Sequence, residues 1–235
     1  MTTILVTGAT GNVGSLVVRE LRDRGVTVRA FVRDGEKAAR TFGHEVELAI
    51  GDFAEPESVR RAMSGVDAVL LSSRNDPRQA EYEIGVIDAA VAAGVRRLVK
   101  LSAIGAELGS PLAFWDAHGR IEAHLRRSLP HAVILRSNFY MSNLLGTADQ
   151  ARTLGKMFAP AEGARIGMVD PRDVAAVAAI ALTTDAYDGQ TLVLTGPESI
   201  TYARAAEELS AVTGREPGTF TRFAREHARL FQAAG

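Results

Sequence analysis

The stretch Thr7-Gly8-Ala9-Thr10-Gly11-Asn12-Val13-Gly14 decides how the rest of the chain is read. It follows a short apolar, β-branched run, Thr3–Thr7. It precedes apolar residues at helical spacing, Val13, Leu16, Val17 and Leu21, that stop near Gly25. A glycine triplet alone is a weak signal, but between a strand and a helix it is specific. Gly8 permits a tight turn, Gly11 leaves the backbone bare for a pyrophosphate, and Gly14 lets the helix pack closely on the strand. The helix start offers unpaired N–H groups and its positive dipole end to phosphate. Gly8, Thr10, Gly11, Asn12 and Val13 are therefore the predicted dinucleotide contacts. The plainer alternative is a tight strand-to-helix turn without a ligand.

Outward from this turn, strand-like and helix-like segments alternate. Val26–Val32 places Val26, Val28, Ala30 and Val32 on one strand face. Further strands are expected at Val46–Ile50, Asp67–Leu71, Arg97–Leu101, His131–Leu135 and Gln190–Leu194. Helices are expected at Glu55–Met63, with Pro56 in its first turn, at Glu81–Ala93, closed by Gly94, and at Trp115–Ser128. Asp170-Pro171-Arg172-Asp173 reads as a capped start for a buried helix, Val174–Leu182, and Ser199–Val212 as a last helix. Buried strands separated by amphipathic helices predict an α/β fold, a Rossmann-type doubly wound parallel sheet. The expected organisation is one domain over residues 1–235, with a small discontinuous C-terminal substrate lobe from about 139–170 and 195–235. Residues 144–168 carry few periodic signals and predict a mobile loop. Little chain follows Arg215 to build a lid, which favours an open cleft or one completed by a second subunit in a homodimer.

Composition removes several classes. Apolar residues make up 46% and charged residues 23%, which excludes a disordered or coiled-coil chain. A net charge of −1 and the lack of a helix-turn-helix signal argue against direct nucleic-acid binding. There is no cysteine, so disulfides, thiolate catalysis and Cys-ligated metals are excluded, and no metal site is predicted. No run of about 18 apolar residues predicts a membrane span. Met1 leads straight into the first strand without a basic leader, so a cytoplasmic location is expected. Only Lys37, Lys100 and Lys156 of the 27 basic residues are lysine, so an isolated Arg is weak support for a phosphate site.

Several further segments carry a resemblance. They are Gly51-Asp52-Phe53, Leu101-Ser102-Ala103, His118-Gly119-Arg120-Ile121-Glu122, Ile134-Leu135-Arg136-Ser137-Asn138-Phe139, Asp170-Pro171-Arg172-Asp173 and Leu194-Thr195-Gly196-Pro197-Glu198. With the glycine turn, the chain resembles the NmrA-like group of atypical short-chain dehydrogenases over nearly its whole length. That group contains NAD(P)H-dependent quinone reductases, azoreductase-like proteins, and regulators that bind NADP without turning it over. The resemblance implies the fold and a nicotinamide dinucleotide more firmly than an activity.

The second strand ends Val32-Arg33-Asp34. An acidic residue there hydrogen-bonds the ribose 2′-OH of NAD, whereas Arg33, helped by Lys37, suits the 2′-phosphate of NADP. Proteins of the resembled group carry Arg here, so NADP (NADPH) is expected, with Asp34 as the competing reading. Asp52 is placed to accept from the adenine amine, with Phe53 against the ring; the plainer alternative for Asp52 is a cap on the next helix. Ser72 and Ser73 follow the fourth strand at the crevice, near the expected nicotinamide ribose.

The resembled superfamily uses a Tyr-x-x-x-Lys pair in which Lys lowers the Tyr pKa. It is missing: Trp115 is followed four residues later by Gly119, Tyr82 by Val86 and Tyr140 by Leu144. Ser102 and His118 are the remaining catalytic candidates, Ser102 to hydrogen-bond a substrate oxygen and His118 to give a proton. A turn cap and a surface histidine are the plainer alternatives. Arg120 and Glu122 are read as structural. Asn138, Phe139 and Tyr140 are expected to wall the substrate pocket, or else to be core. Hydride transfer is mainly positioning, because the cofactor carries the chemistry. The expected function is an NADPH-dependent oxidoreductase acting on a quinone-like or conjugated carbonyl small molecule. The alternatives are a redox-sensing NADP(H)-binding regulator and an enzyme of specialised metabolism using the fold without net redox chemistry.

Overall fold

A computed structural model describes residues 2–143, 167–198 and 225–226. The expected helix Ser199–Val212 and most of the expected loop at 144–168 lie outside these residues. The strands are β1 Thr3–Val6, β2 Thr27–Val32, β3 Glu47–Ile50, β4 Ala68–Leu71, β5 Arg97–Ala103, β6 Val133–Ser137 and β7 Thr191–Leu194. The helices are α1 Gly14–Asp23, α2 Gly35–Phe42, α3 Pro56–Ala62, α4 Gln79–Ala92, α5 Ala113–Ser128 and α6 Pro171–Thr183.

All seven strands form one parallel sheet in the order β3-β2-β1-β4-β5-β6-β7. Chain direction across the sheet reverses between β1 and β4, where Ile4 pairs with both Val28 and Ala68. Such a switch point opens a crevice at the strands' carboxyl ends.

Both sheet faces are buried, which is why the strands read as near-continuous apolar runs. Ile4, Val6, Val28, Leu70, Val99 and Leu135 pack against α1, α2 and α6. Leu5, Val69, Leu71, Leu98 and Ile134 pack against α3, α4 and α5. Helix α6 begins as its sequence predicts: the Asp170 side chain accepts from the Arg172 N–H at 2.8 Å and Pro171 fills the first turn.

Two differences from the sequence reading bear on the site. Helix α2 was not expected, because its buried stripe is only Ala38 and Phe42 on an otherwise charged segment. Strand β5 runs to Ala103, so Ser102 lies inside the strand, paired with Arg136, rather than after it.

Candidate functional site

The glycine turn closes at the switch point. Gly8 adopts φ +61, and a Cβ there would meet the Ser72 carbonyl oxygen at 2.9 Å. A Cβ on Gly14 would come within 2.2 Å of the Gly8 oxygen, so Gly14 makes room for the turn itself rather than for the strand. A Cβ on Gly11 would meet only the Gly8 oxygen, at 3.0 Å. Helix α1 follows Val13 at its N-cap position, without a side-chain cap and without an acidic residue in its first turn. The Ser15 and Leu16 N–H groups donate back to the Gly11 and Val13 oxygens, so the N–H groups of Asn12, Val13 and Gly14 are the ones left for an anion.

Thr7, to which the sequence assigned no role, pins the turn to β4. Its buried hydroxyl accepts from the Ser72 N–H at 2.9 Å and lies 2.9 Å from the Ser72 oxygen. Thr10 is half-buried within the turn. Asn12 donates through its side chain to Ser142 Oγ at 2.5 Å, bringing the turn beside the segment that follows β6.

Past β2, Arg33 and Asp34 separate clearly. Asp34 accepts from the Lys37 N–H at 2.9 Å and so caps α2. Arg33 is 58% exposed and lies 4.0 Å from Asp52. Asp52 also accepts from the Ala54 N–H at 2.9 Å. Phe53 stacks on Phe31 at 5.6 Å and 14°, packing one face of its ring against the core.

The ends of β4 and β5 are different in kind. Ser73 Oγ donates to Glu83 Oε1 at 2.7 Å, and Gln79 Nε2 donates to the same oxygen at 3.0 Å. Lys100 Nζ stands 2.8 Å from Glu83 Oε2, with side-chain exposures of 1% and 0%. Gln79 Nε2 lies 3.5 Å from His118 Nε2, and Phe114 meets the imidazole edge-on at 4.8 Å. Burial first, and the Lys100 charge second, push the His118 pKa down to about 3. His118 is therefore a buried, neutral imidazole, not a surface residue and not a proton store.

Ser102 is also committed. Its hydroxyl donates to Glu122 Oε1 at 2.6 Å, and the residue is 5% exposed. Glu122 is buried under Arg136, which reaches its two oxygens at 3.0 and 2.7 Å, and Arg126 joins at 3.0 Å. Burial alone would raise the Glu122 pKa; the bonds from Arg136 and Ser102 outweigh it and hold the carboxyl below its usual range. Arg136 also donates to the Ala106 carbonyl at 3.0 Å, clamping the loop after β5. That loop explains the missing lysine: a Cβ on Gly119 would meet Glu107 C and Leu108 N at 2.3 Å. Backbone occupies the space a lysine would need. Leu108, Leu112, Phe114 and Trp115 remain exposed along this edge.

Residues after β6 meet two later stretches. Tyr140 bridges Val169, Thr195 Oγ1 donates to the Gly167 carbonyl at 3.0 Å, and Gly196 passes the Met168 oxygen too closely for a Cβ, at 1.9 Å. Asn138 Oδ1 accepts from the Phe139 N–H at 2.8 Å, and Phe139 is half-buried. Tyr140 packs against the core, and burial pushes its phenol pKa up, making it a poor acid. Among the described residues no group of three or more His, Asp or Glu could hold a metal ion, and no helix is long and apolar enough to cross a membrane.

Gln79, Glu83, Lys100 and Arg136 escaped the sequence reading. Two signals were present: a lone lysine in an apolar strand, and Gln79 and Glu83 one helical turn apart.

An uncapped helix start behind a glycine turn, at the switch point of a parallel sheet, defines a dinucleotide-binding protein. The chain belongs to the NAD(P)H-binding family, which matches residues 8–185. It is 35% identical over 212 residues to the NAD(P)H azoreductase of Xenophilus azovorans, covering 90% of this chain and 74% of that protein. It is 41% identical over 213 residues to a (4-alkanoyl-5-oxo-2,5-dihydrofuran-3-yl)methyl phosphate reductase of Streptomyces griseus, covering 90% and 74%. The solved structure of the NADPH-dependent quinone oxidoreductase of Escherichia coli, in complex with NADPH, superimposes with a TM-score of 0.75 at 30% identity, covering 91% and 76%.

Proposed function

We propose that the chain is an NADPH-dependent oxidoreductase that reduces quinone-like or conjugated carbonyl small molecules. The observation that carries this reading is the commitment of the polar side chains around the crevice. Ser102 donates to Glu122, Ser73 donates to Glu83, and His118 stays neutral. Such a site suits an acceptor that needs hydride positioning more than acid catalysis. The relatives reduce azo, quinone and unsaturated lactone compounds by name, and the exposed apolar edge at Leu108, Leu112, Phe114 and Trp115 suits a flat apolar acceptor.

The residues present fit the nucleotide. Gly8, Thr10, Gly11, Asn12 and Val13 form the cradle for the pyrophosphate, on a helix start with no cap of its own. Arg33 is the partner for a 2′-phosphate, because Asp34 is spent on capping α2. Asp52 faces the adenine side, with the free face of Phe53. Ser72 and Ser73 line the ribose side of the crevice. Asn138, Phe139 and Tyr140 stand at the entry to a substrate lobe drawn from about 139–170 and 195–235. When bound, the reduced nicotinamide supplies the hydride; the chain binds, orients and shields. We read the protein as cytoplasmic, with a homodimer allowed.

The test is NADPH oxidation by purified protein across a panel of quinones and enones, with NADH in parallel. Turnover that prefers NADPH is expected. Tight NADPH binding with no turnover across the panel would sink the enzyme reading and leave that of a redox-sensing regulator.

A further inference from the structure

We propose that Trp115 is the stacking platform for the reducible ring of the acceptor: one face of its indole is laid on Gly105, and the opposite face takes a flat, electron-poor ring. The inference rests on the function proposed above, and deepens it by naming the side chain that holds the acceptor.

The contact geometry decides which face is free. Gly105 lies just beyond the end of β5 and adopts φ +84. A Cβ there would stand 2.9 Å from Trp115 Cε2 and 3.2 Å from both Cδ2 and Cζ2, the two ring carbons bonded to Cε2. Equal distances so close to the shortest one place the glycine over the ring plane, not at its edge. Trp115 is nevertheless 37% exposed. With one face against backbone, that exposure belongs to the other face and to the rim of the ring. The surrounding backbone keeps the indole in place. The Trp115 carbonyl accepts from the Glu107 N–H at 3.1 Å, and Asp116 Oδ1 accepts from the Gly109 N–H at 2.7 Å. Arg136 donates to the Ala106 carbonyl at 3.0 Å, so the loop between β5 and α5 is tied to both α5 and β6. A platform held before binding loses little freedom when a ligand lands on it.

The indole stands where strands of different length meet. Leu71, the last residue of β4, pairs with Lys100, whereas β5 continues to Ala103. At about 3.3 Å per residue, β5 rises about 10 Å above the end of β4. The Ile104 N–H still bonds the Ser137 carbonyl at 2.9 Å, so β5 and β6 form one wall. Ser72 and Ser73 follow β4 at the foot of this wall, and Gly105 with its indole tops it. Ligands of open parallel sheets bind at these carboxyl ends. The surroundings are apolar. Of the six large apolar side chains exposed among the described residues, four are Leu108, Leu112, Phe114 and Trp115. Such clustering marks a contact surface. An aromatic face is negative, and a quinone ring drained by its carbonyls is electron-poor, so the two stack with an offset. Trp115 binds and orients in this proposal and takes no part in proton or hydride transfer.

Trp115 is the chain's one tryptophan, so its fluorescence reports on the platform in the unaltered protein. Menadione, a flat quinone, is added to the NADP+-loaded chain, where no hydride is available. It is expected to quench the emission to a plateau, with a midpoint near its KM. Random collision with an exposed indole would quench linearly instead. Trp115→Leu should raise the KM for menadione about tenfold, and Trp115→Phe should recover it to within about threefold. In both variants kcat and the KM for NADPH should stay unchanged, because a stacked ring is held equally in ground and transition states. Linear quenching, or an unchanged menadione KM in Trp115→Leu, overturns the platform even if quinones turn over normally. A Trp115→Leu protein that sediments as a smaller species than the wild type also overturns it, since a second copy of the chain then covers this edge. Quenching to a plateau with no turnover supports the platform and strikes the proposed oxidoreductase function instead.

Discussion

The two sides of the switch point are built on opposite principles. On the β1–β2–β3 side, contact groups are backbone N–H groups and an exposed arginine. The turn is shaped by what glycine lacks, as the 2.2 Å approach at Gly14 shows. On the β4–β5–β6 side, nearly every polar side chain at the crevice is bound to another, within one helix or across segments. Glu83 gathers Lys100, Gln79 and Ser73; Glu122 gathers Ser102, Arg126 and Arg136. One side is open and ready for a ligand. The other is a pair of buried carboxylate networks that fixes which hydrogen bonds remain available. The lesson is that availability of a polar residue is decided by its partner, not by its position after a strand.

The comparison breaks first at Lys100. Lys100→Met leaves Glu83 charged and fully buried, and should cost about 3–5 kcal/mol in a urea titration. The double change with Glu83→Leu should recover most of that loss. An equally large loss in the double variant would show that packing, not charge, holds this half together.

Acid should act on the same side. The His118 pKa is about 3 when folded, against an ordinary value of 6.5. Below 6.5 the unfolded chain binds the extra proton and the folded one does not, so stability falls as pH drops towards 3. The slope is about 1.4 kcal/mol per pH unit for one proton. Glu122, held below the usual carboxylate range, adds to the loss at the acid end of this window. Denaturation midpoints from pH 7 to 4 should show the slope, and His118→Gln should flatten it.

On the open side the effects are smaller and fall on binding. Gly14→Ala forces the turn apart, should cost about 1–3 kcal/mol, and should weaken NADPH binding by calorimetry far more than it alters the network around Glu83. Arg33→Ala should weaken NADPH by about tenfold and leave NADH unchanged. An equal loss for both nucleotides would remove Arg33 from the 2′-phosphate. These two changes sharpen the contrast, because neither touches a buried charge.

Much of the fold can be read in the chain because both sheet faces are buried. Every described strand falls on an expected apolar run, with shifts of one or two residues. Helix α2 escaped because Ala38 and Phe42 alone make too thin a stripe. The C-terminal helix at Ser199–Val212 lies outside the described residues. Reading the site was uneven for the reason that separates its two sides. The glycine turn, Asp34 as a rival to Arg33, and the lost Tyr–Lys pair were all visible in local sequence. The roles of Ser102, Ser73 and His118 were not, because each depends on a residue at least ten positions away.

The sequence by itself determined the parallel sheet, the dinucleotide turn and the absence of the usual proton-transfer pair, since these follow from local periodicity, glycine and residue identity. Only the tertiary structure decided that Asp34 caps a helix while Arg33 stays exposed beside Asp52, that backbone at Glu107 and Leu108 fills the space over Gly119, and that two buried carboxylates claim the crevice hydroxyls. Those outcomes depend on which side chains are brought within about 3 Å of one another in a low-dielectric interior, and no local pattern encodes that distance.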